Sequence, residues 1–115
     1  MKTVYKGALV YDTPSASFKK LNIATENGMI TDISQEIPNG DEYVDLTGKH
    51  LIPGLVDVHT HGRVGCSFDD LTEDKLKLAL RSYAENGTTT IMVTFASTPY
   101  DYYSKAIGIV KSTVT

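Results

Sequence analysis

The run Leu51-Ile52-Pro53-Gly54-Leu55-Val56-Asp57-Val58-His59-Thr60-His61-Gly62 constrains this chain most. From Leu51 to Val58 it is apolar apart from Pro53, Gly54 and Asp57, as expected of a strand covered on both faces. It ends in His-x-His. Side chains along a strand alternate with a period of two, so His59 and His61 share one side, and Asp57 has their parity. Two imidazoles on one face, at the end of a buried strand, can grip one metal ion from adjacent rungs. That points to metal-assisted hydrolysis. Two nitrogens alone make an open site, because catalytic zinc has three protein ligands plus water.

The residues that follow alternate between elements. Gly62 to Asp70 reads as a loop. Thr72 is the expected cap of a helix, with Glu73 and Asp74 in the first turn, where the helix dipole favours acids. Leu71 and Leu76 stand at the positions of a hydrophobic staple. Leu76, Ala79, Leu80 and Tyr83 follow helical spacing, and Asn86-Gly87 supplies the stop. A second apolar strand runs from Thr89 to Phe95. Thr98-Pro99 opens a second helix, with Pro99 at the first helical position and Tyr103, Ala106, Ile107 and Val110 as its buried stripe. Strand-helix-strand-helix implies parallel strands with right-handed crossovers.

Residues 1–49 differ. Thr3-Val4-Tyr5 and Ala8-Leu9-Val10-Tyr11 are β-prone. Leu21 to Thr25 and Met29 to Ile33 flank Glu26-Asn27-Gly28, a hairpin signature. Pro38 to Asp41 is turn chemistry, and Tyr43 to Leu46 is a short strand closed by Thr47-Gly48. The expected fold class is therefore α/β, with a strand-rich segment over 1–49 followed by two βα units over 50–115.

Two parallel strands with helices on one side would leave their other face and outer edges bare. A barrel of such units needs eight of them and roughly 250 residues. With 115 residues, the expectation is the N-terminal piece of a longer, truncated protein. The net charge of −3 comes with basic residues spread along the chain, which argues against a nucleic-acid partner. No apolar run approaches the roughly 20 residues that span a bilayer, so no membrane partner is expected. Met1 to Gly7 lacks the apolar core of a signal peptide. The single cysteine, Cys66, excludes an internal disulfide framework. A cytoplasmic location is the expectation.

The run Pro53-Gly54-Leu55-Val56-Asp57-Val58-His59-Thr60-His61 resembles the first-strand signature of the amidohydrolase superfamily. In that superfamily a small β-sandwich leads into a metal-dependent (β/α)8 barrel. The stretch His61-Gly62-Arg63-Val64-Gly65-Cys66-Ser67-Phe68-Asp69-Asp70 is similar to the loop of N-acetylglucosamine-6-phosphate deacetylases. So is Gly87-Thr88-Thr89-Thr90 with Val93 to Ser97. The resemblance implies β-sandwich strands over 1–49, the first two barrel units over 50–115, and a divalent metal ion, zinc or another transition metal. It implies deacetylation of a small-molecule amino-sugar phosphate by a homo-oligomer. It also implies that the general acid/base, the other metal ligands and the phosphate-binding groups lie downstream of this chain, so that the chain alone is inactive.

Each candidate residue has a plainer reading. His59 and His61 are either metal ligands or polar residues at a strand end. Asp57 either orients a histidine through a hydrogen bond or is simply an interior carboxylate. Gly62 and Gly65 either let the loop approach the substrate or serve turn geometry. His50 reads as a surface or hinge residue, Cys66 as a small loop filler and Thr94 as a hydrogen-bonding strand end. Tyr100, Tyr102 and Tyr103 read as helix surface and core. Competing functions are another amidohydrolase, such as an aminoacylase or a cyclic-amide hydrolase, or a non-catalytic truncated chain that self-associates. Gly62 directly after His61, rather than an arginine two residues beyond it, is expected to disfavour a dihydroorotase-like pattern.

Overall fold

The computed structural model describes residues 1–114, which divide into two compact units, Met1–Pro53 and the chain from Gly54 onward. In the first unit β1 (Lys2–Asp12) is the centre of one sheet. It pairs antiparallel with β2 (Ser17–Glu26), which pairs in turn with β3 (Met29–Ser34). Its other edge takes β4 (Glu42–Asp45) and then β5 (His50–Leu51), both parallel to it. The two β-prone pieces expected before Asp12 are thus one strand, interrupted by a bulge between Tyr5 and Ala8. The bulge frees the Gly7 N–H from the ladder, and the buried Asn22 side chain accepts it at 2.9 Å. The Asn27-Gly28 hairpin forms as expected between β2 and β3. Ala8, Val10 and Ile23 form the core, with Leu21, Leu46 and Leu51 packed against it. These strands make a single sheet among the described residues rather than the two layers of a sandwich.

One expected strand is shorter than its apolar run. His50 and Leu51 pair with Leu9 and Val10, so they close the first sheet instead of opening the next strand. Ile52, Pro53 and Gly54 lie in neither sheet. Pro53 has no N–H to give a ladder. At Gly54 a Cβ would meet the Thr89 side chain at 2.0 Å, so only glycine lets the backbone run this close to the next strand.

The second unit starts with β6 (Leu55–Thr60), followed by β7 (Gly62–Arg63) and β8 (Cys66–Ser67), which form a small antiparallel hairpin. A 3₁₀ turn (Phe68–Asp70) leads into α1 (Glu73–Glu85). The parallel partner of β6, β9 (Thr88–Val93), and then α2 (Tyr100–Val114) complete the unit. The loop expected over 62–70 is therefore ordered by pairing. Thr72 caps α1, its side chain accepting the Lys75 N–H at 3.3 Å. Leu71 and Leu76 both enter the core, as a staple requires.

That core gathers Cys66, Phe68, Leu71, Leu76, Ala79, Tyr83 and Ala106. Full burial of side chains such as Phe68 and Leu76 stabilises the unit by about 1.5–3 kcal/mol each. Two expectations about this unit are corrected. The buried face of α2 is Tyr102, Ala106, Ile109 and Val110, whereas Ile107 is 46% exposed. Pro99 precedes α2 and is not its first helical residue, its carbonyl accepting the Tyr102 N–H at 3.0 Å and the Tyr103 N–H at 3.3 Å. In addition, β6 is not covered on both faces, since Leu55, Val56, Val58 and Met92 are all more than half exposed. Helices pack only on the side of Ile91, Val93 and Phe95. Among the described residues no helix is long and apolar enough to cross a membrane.

Candidate metal centre

His59 is the penultimate residue of β6, and His61 stands one residue beyond its end. Both side chains are exposed, and their Nε2 atoms lie 3.1 Å apart. The rings meet edge to face, with centroids 5.1 Å apart. Two imidazole nitrogens sharing one tetrahedral zinc, each about 2.0–2.1 Å from it, stand about 3.3 Å apart. The pair therefore fits as two ligands of one ion. Without an ion, one neutral ring can donate to the other. Among the described residues no group of three or more His, Cys, Asp or Glu side chains could hold a metal. The pair is a partial donor set.

Neighbouring elements fix the main chain around the pair. The Thr60 carbonyl accepts the Thr94 N–H at 2.9 Å, and Thr94 Oγ1 accepts the Thr60 N–H at 3.3 Å. The His61 carbonyl accepts the Phe68 N–H at 2.8 Å. Thr94 thus takes the hydrogen-bonding role expected of it. The strand period alone does not place Asp57, because the pairing of β6 with β9 slips between Asp57 and Thr60. Its Oδ1 accepts the His59 main-chain N–H at 3.1 Å, so its recorded bond is to the histidine's backbone.

Gly62 takes a φ of +129°, and a Cβ there would lie 1.9 Å from the Cys66 carbonyl oxygen. Gly62 therefore serves the tight crossing of β7 over β8. Gly65 (φ +76°) forms the hairpin tip with Val64. Cys66 is a buried free thiol in the core, consistent with a filler. His50 is exposed and packs edge-on against Phe18 at 4.8 Å.

The tyrosines of α2 separate by role. Tyr100 is 82% exposed. The Tyr102 hydroxyl accepts the Leu71 N–H at 2.5 Å, and the Tyr103 hydroxyl donates to the Ala96 carbonyl. Sequence reasoning passed over Asp69, whose Oδ1 accepts from the Ala96 N–H at 2.8 Å and from Thr98 Oγ1 at 3.1 Å. It joins the loops that follow β6 and β9. An acid 27 residues from its partner leaves no local pattern to read.

A strand ending in two convergent imidazoles, followed by a helix and a parallel strand, defines a class, and the comparisons with known proteins support the amidohydrolase superfamily. The chain is 38% identical over 77 residues to the N-acetylglucosamine-6-phosphate deacetylase of Vibrio furnissii, covering 64% of this chain and 19% of that protein. It is 38% identical over 64 residues to the dihydroorotase of Carboxydothermus hydrogenoformans, covering 55% of this chain and 15% of that protein. Among solved structures, N-acetyl-D-glucosamine-6-phosphate deacetylase from Mycobacterium smegmatis superposes with a TM-score of 0.70 at 18% identity. That match covers 99% of this chain and 32% of the other, and it shows the fold. The chain thus spans less than a quarter of the curated relatives it matches. No protein-family model matches it.

One expectation does not hold. Gly62 does not set the chain apart from dihydroorotases, which are among its relatives, and an arginine, Arg63, does stand two residues beyond His61.

Proposed function

We propose that this chain carries the first part of a metal-dependent amidohydrolase site, and that the protein it represents deacetylates N-acetylglucosamine 6-phosphate to glucosamine 6-phosphate and acetate in the cytoplasm. The observation that carries the reading is the convergence of His59 and His61, with Nε2 atoms 3.1 Å apart at the end of a parallel strand. These two nitrogens would hold the ion, zinc or another divalent transition metal. When bound, the ion supplies Lewis-acid chemistry for amide hydrolysis. Asp57 holds the His59 main-chain N–H, while Thr94 and Phe68 hold the backbone on either side of His61. In this reading 50–115 are the first two units of a barrel and 1–49 belong to its small β-domain. The general acid/base lies outside this chain, which alone is inactive.

The choice of substrate is supported by the deacetylase relative, whose match at 38% identity runs through 77 residues, against 64 for the dihydroorotase. That dihydroorotase likeness favours a second reading, a cyclic-amide hydrolase. The deciding experiment offers N-acetylglucosamine 6-phosphate and dihydroorotate to a full-length protein bearing this sequence, with and without added divalent metal. Metal-dependent release of acetate is the expected result. Turnover of dihydroorotate alone would replace the first reading with the second.

A further inference from the structure

Tyr83 lies on α1, 23 residues beyond Thr60, yet its hydroxyl reaches the strand end that carries the histidines. We propose that Tyr83 is a positioning residue for the His59/His61 pair, acting through Thr60 and Gly62, the two residues that flank His61. The proposal rests on the reading of the two histidines as metal ligands.

The direction of each bond follows from the hydrogens available. The Tyr83 hydroxyl donates to the Gly62 carbonyl at 3.2 Å. A phenol has one hydrogen, so in its bond with Thr60 Oγ1 the tyrosine accepts and the threonine donates. Thr60 Oγ1 in turn accepts the Gly62 N–H, at a long 3.5 Å. The chain of donors runs from the Gly62 N–H to Thr60, from Thr60 to Tyr83, and from Tyr83 back to the Gly62 carbonyl. It closes a ring through Thr60 and Gly62, on either side of His61, in which each hydrogen is used once, and bonds in such a ring reinforce one another.

Thr60 and Tyr83 are 8% and 5% exposed, so water does not replace a bond lost here. The tyrosine ring itself is fixed, on one side by the core and on another by the Arg63 guanidinium 5.2 Å from its centroid. A phenylalanine would fill the same core volume. What the hydroxyl adds is a hold on the two residues that aim His61 toward His59.

The test is zinc binding by calorimetry and cobalt(II) visible absorption on the 115-residue chain, with thermal melts alongside. The variants are Tyr83→Phe, Thr60→Val, Thr60→Ser and Tyr102→Phe. Partners that orient ligating groups are worth about 10–100-fold in metal affinity. Tyr83→Phe and Thr60→Val are expected to weaken binding by at least the lower end of that range and to alter the cobalt spectrum. Thr60→Ser, which keeps the hydroxyl, is expected to restore both.

Tyr102→Phe controls for stability, because it removes a hydroxyl that bonds only to Leu71 N–H among the contacts recorded for it. It should lower the melting temperature and leave metal affinity unchanged. Unchanged affinity in Tyr83→Phe, or an equal loss in Tyr102→Phe, would overturn the proposal. If His59→Gln/His61→Gln binds metal as wild type does, the ligand reading fails instead. Amide exchange of Gly62 and Phe68, read without metal, then decides the role of Tyr83. Faster exchange in Tyr83→Phe than in Tyr102→Phe supports the clamp, and equal protection overturns it.

Discussion

Replacing Gly62 by alanine tests how tightly the hairpin after the histidines is built. The new Cβ would sit 1.9 Å from the Cys66 carbonyl oxygen, 2.9 Å from its carbonyl carbon and 3.0 Å from the Ser67 Cα. All three are backbone atoms, so no side chain can swing aside. β8 would have to retreat by roughly 1.5 Å to reach ordinary contact distance. That displacement breaks the pairing of Gly62 with Ser67 and the bond from the Phe68 N–H to the His61 carbonyl. Hydrogen bonds of this kind contribute about 1 kcal/mol each. A φ of +129° adds about 1–3 kcal/mol of strain for a residue with a Cβ.

The expected loss is therefore about 3–5 kcal/mol, a large part of the roughly 5–15 kcal/mol that holds a domain together. Urea unfolding followed by circular dichroism gives the total. Amide exchange at Phe68 and Leu76 assigns the loss to the second unit, since two compact units need not unfold together. A loss below about 1 kcal/mol, the size of an ordinary substitution, would show that the hairpin yields easily and would refute the reasoning.

Other outcomes follow from the same structure. Leu76→Ala empties a site that is 1% exposed in the second core and should cost about 2–5 kcal/mol by denaturant titration; a cost below 1 kcal/mol would mean the helix does not pack as described. In the first unit, the hydrogen bond from Lys19 Nζ at 2.5 Å, joined by Ser15, holds the Asp12 carboxyl below the usual carboxylate range. The unfolded chain then binds this proton at a higher pH than the folded one. The stabilisation is complete above the ordinary carboxylate value of about 3.9 and is lost as the pH falls through the lowered value. Carbon-13 NMR of the Asp12 carboxyl should show a midpoint below the ordinary value in wild type, and Lys19→Met should raise it.

The parts of the fold with a repeating pattern were legible from the sequence. Asn27-Gly28 announced its hairpin, Thr72 its cap, and the two apolar runs their parallel pairing. Elements without a period were not. β7 and β8 have two residues each, too few to alternate, and their pairing depends on the backbone of Gly62, Val64 and Gly65. Leu51 looked continuous with the strand that follows because both are apolar, and only the pairing of His50-Leu51 with β1 separates them. In α2, Ile107, Ile109 and Val110 crowd four positions, so spacing alone did not choose the buried face. At the site, the period of two brought His59 and His61 together. It does not by itself place Asp57, because a slip in register is a tertiary event with no signature in the run itself. Tyr83 and Asp69 reach partners more than 20 residues away, beyond any local pattern.

The central claim is that His59 and His61 hold one metal ion together. The direct measurement is cobalt(II) and zinc titration of the chain beside His59→Gln, His61→Gln and the double variant, read by absorption spectroscopy and calorimetry. The account predicts a single site of modest affinity that either substitution weakens and the double variant loses. Binding that is unchanged in the double variant, or no binding by the wild-type chain, would contradict it.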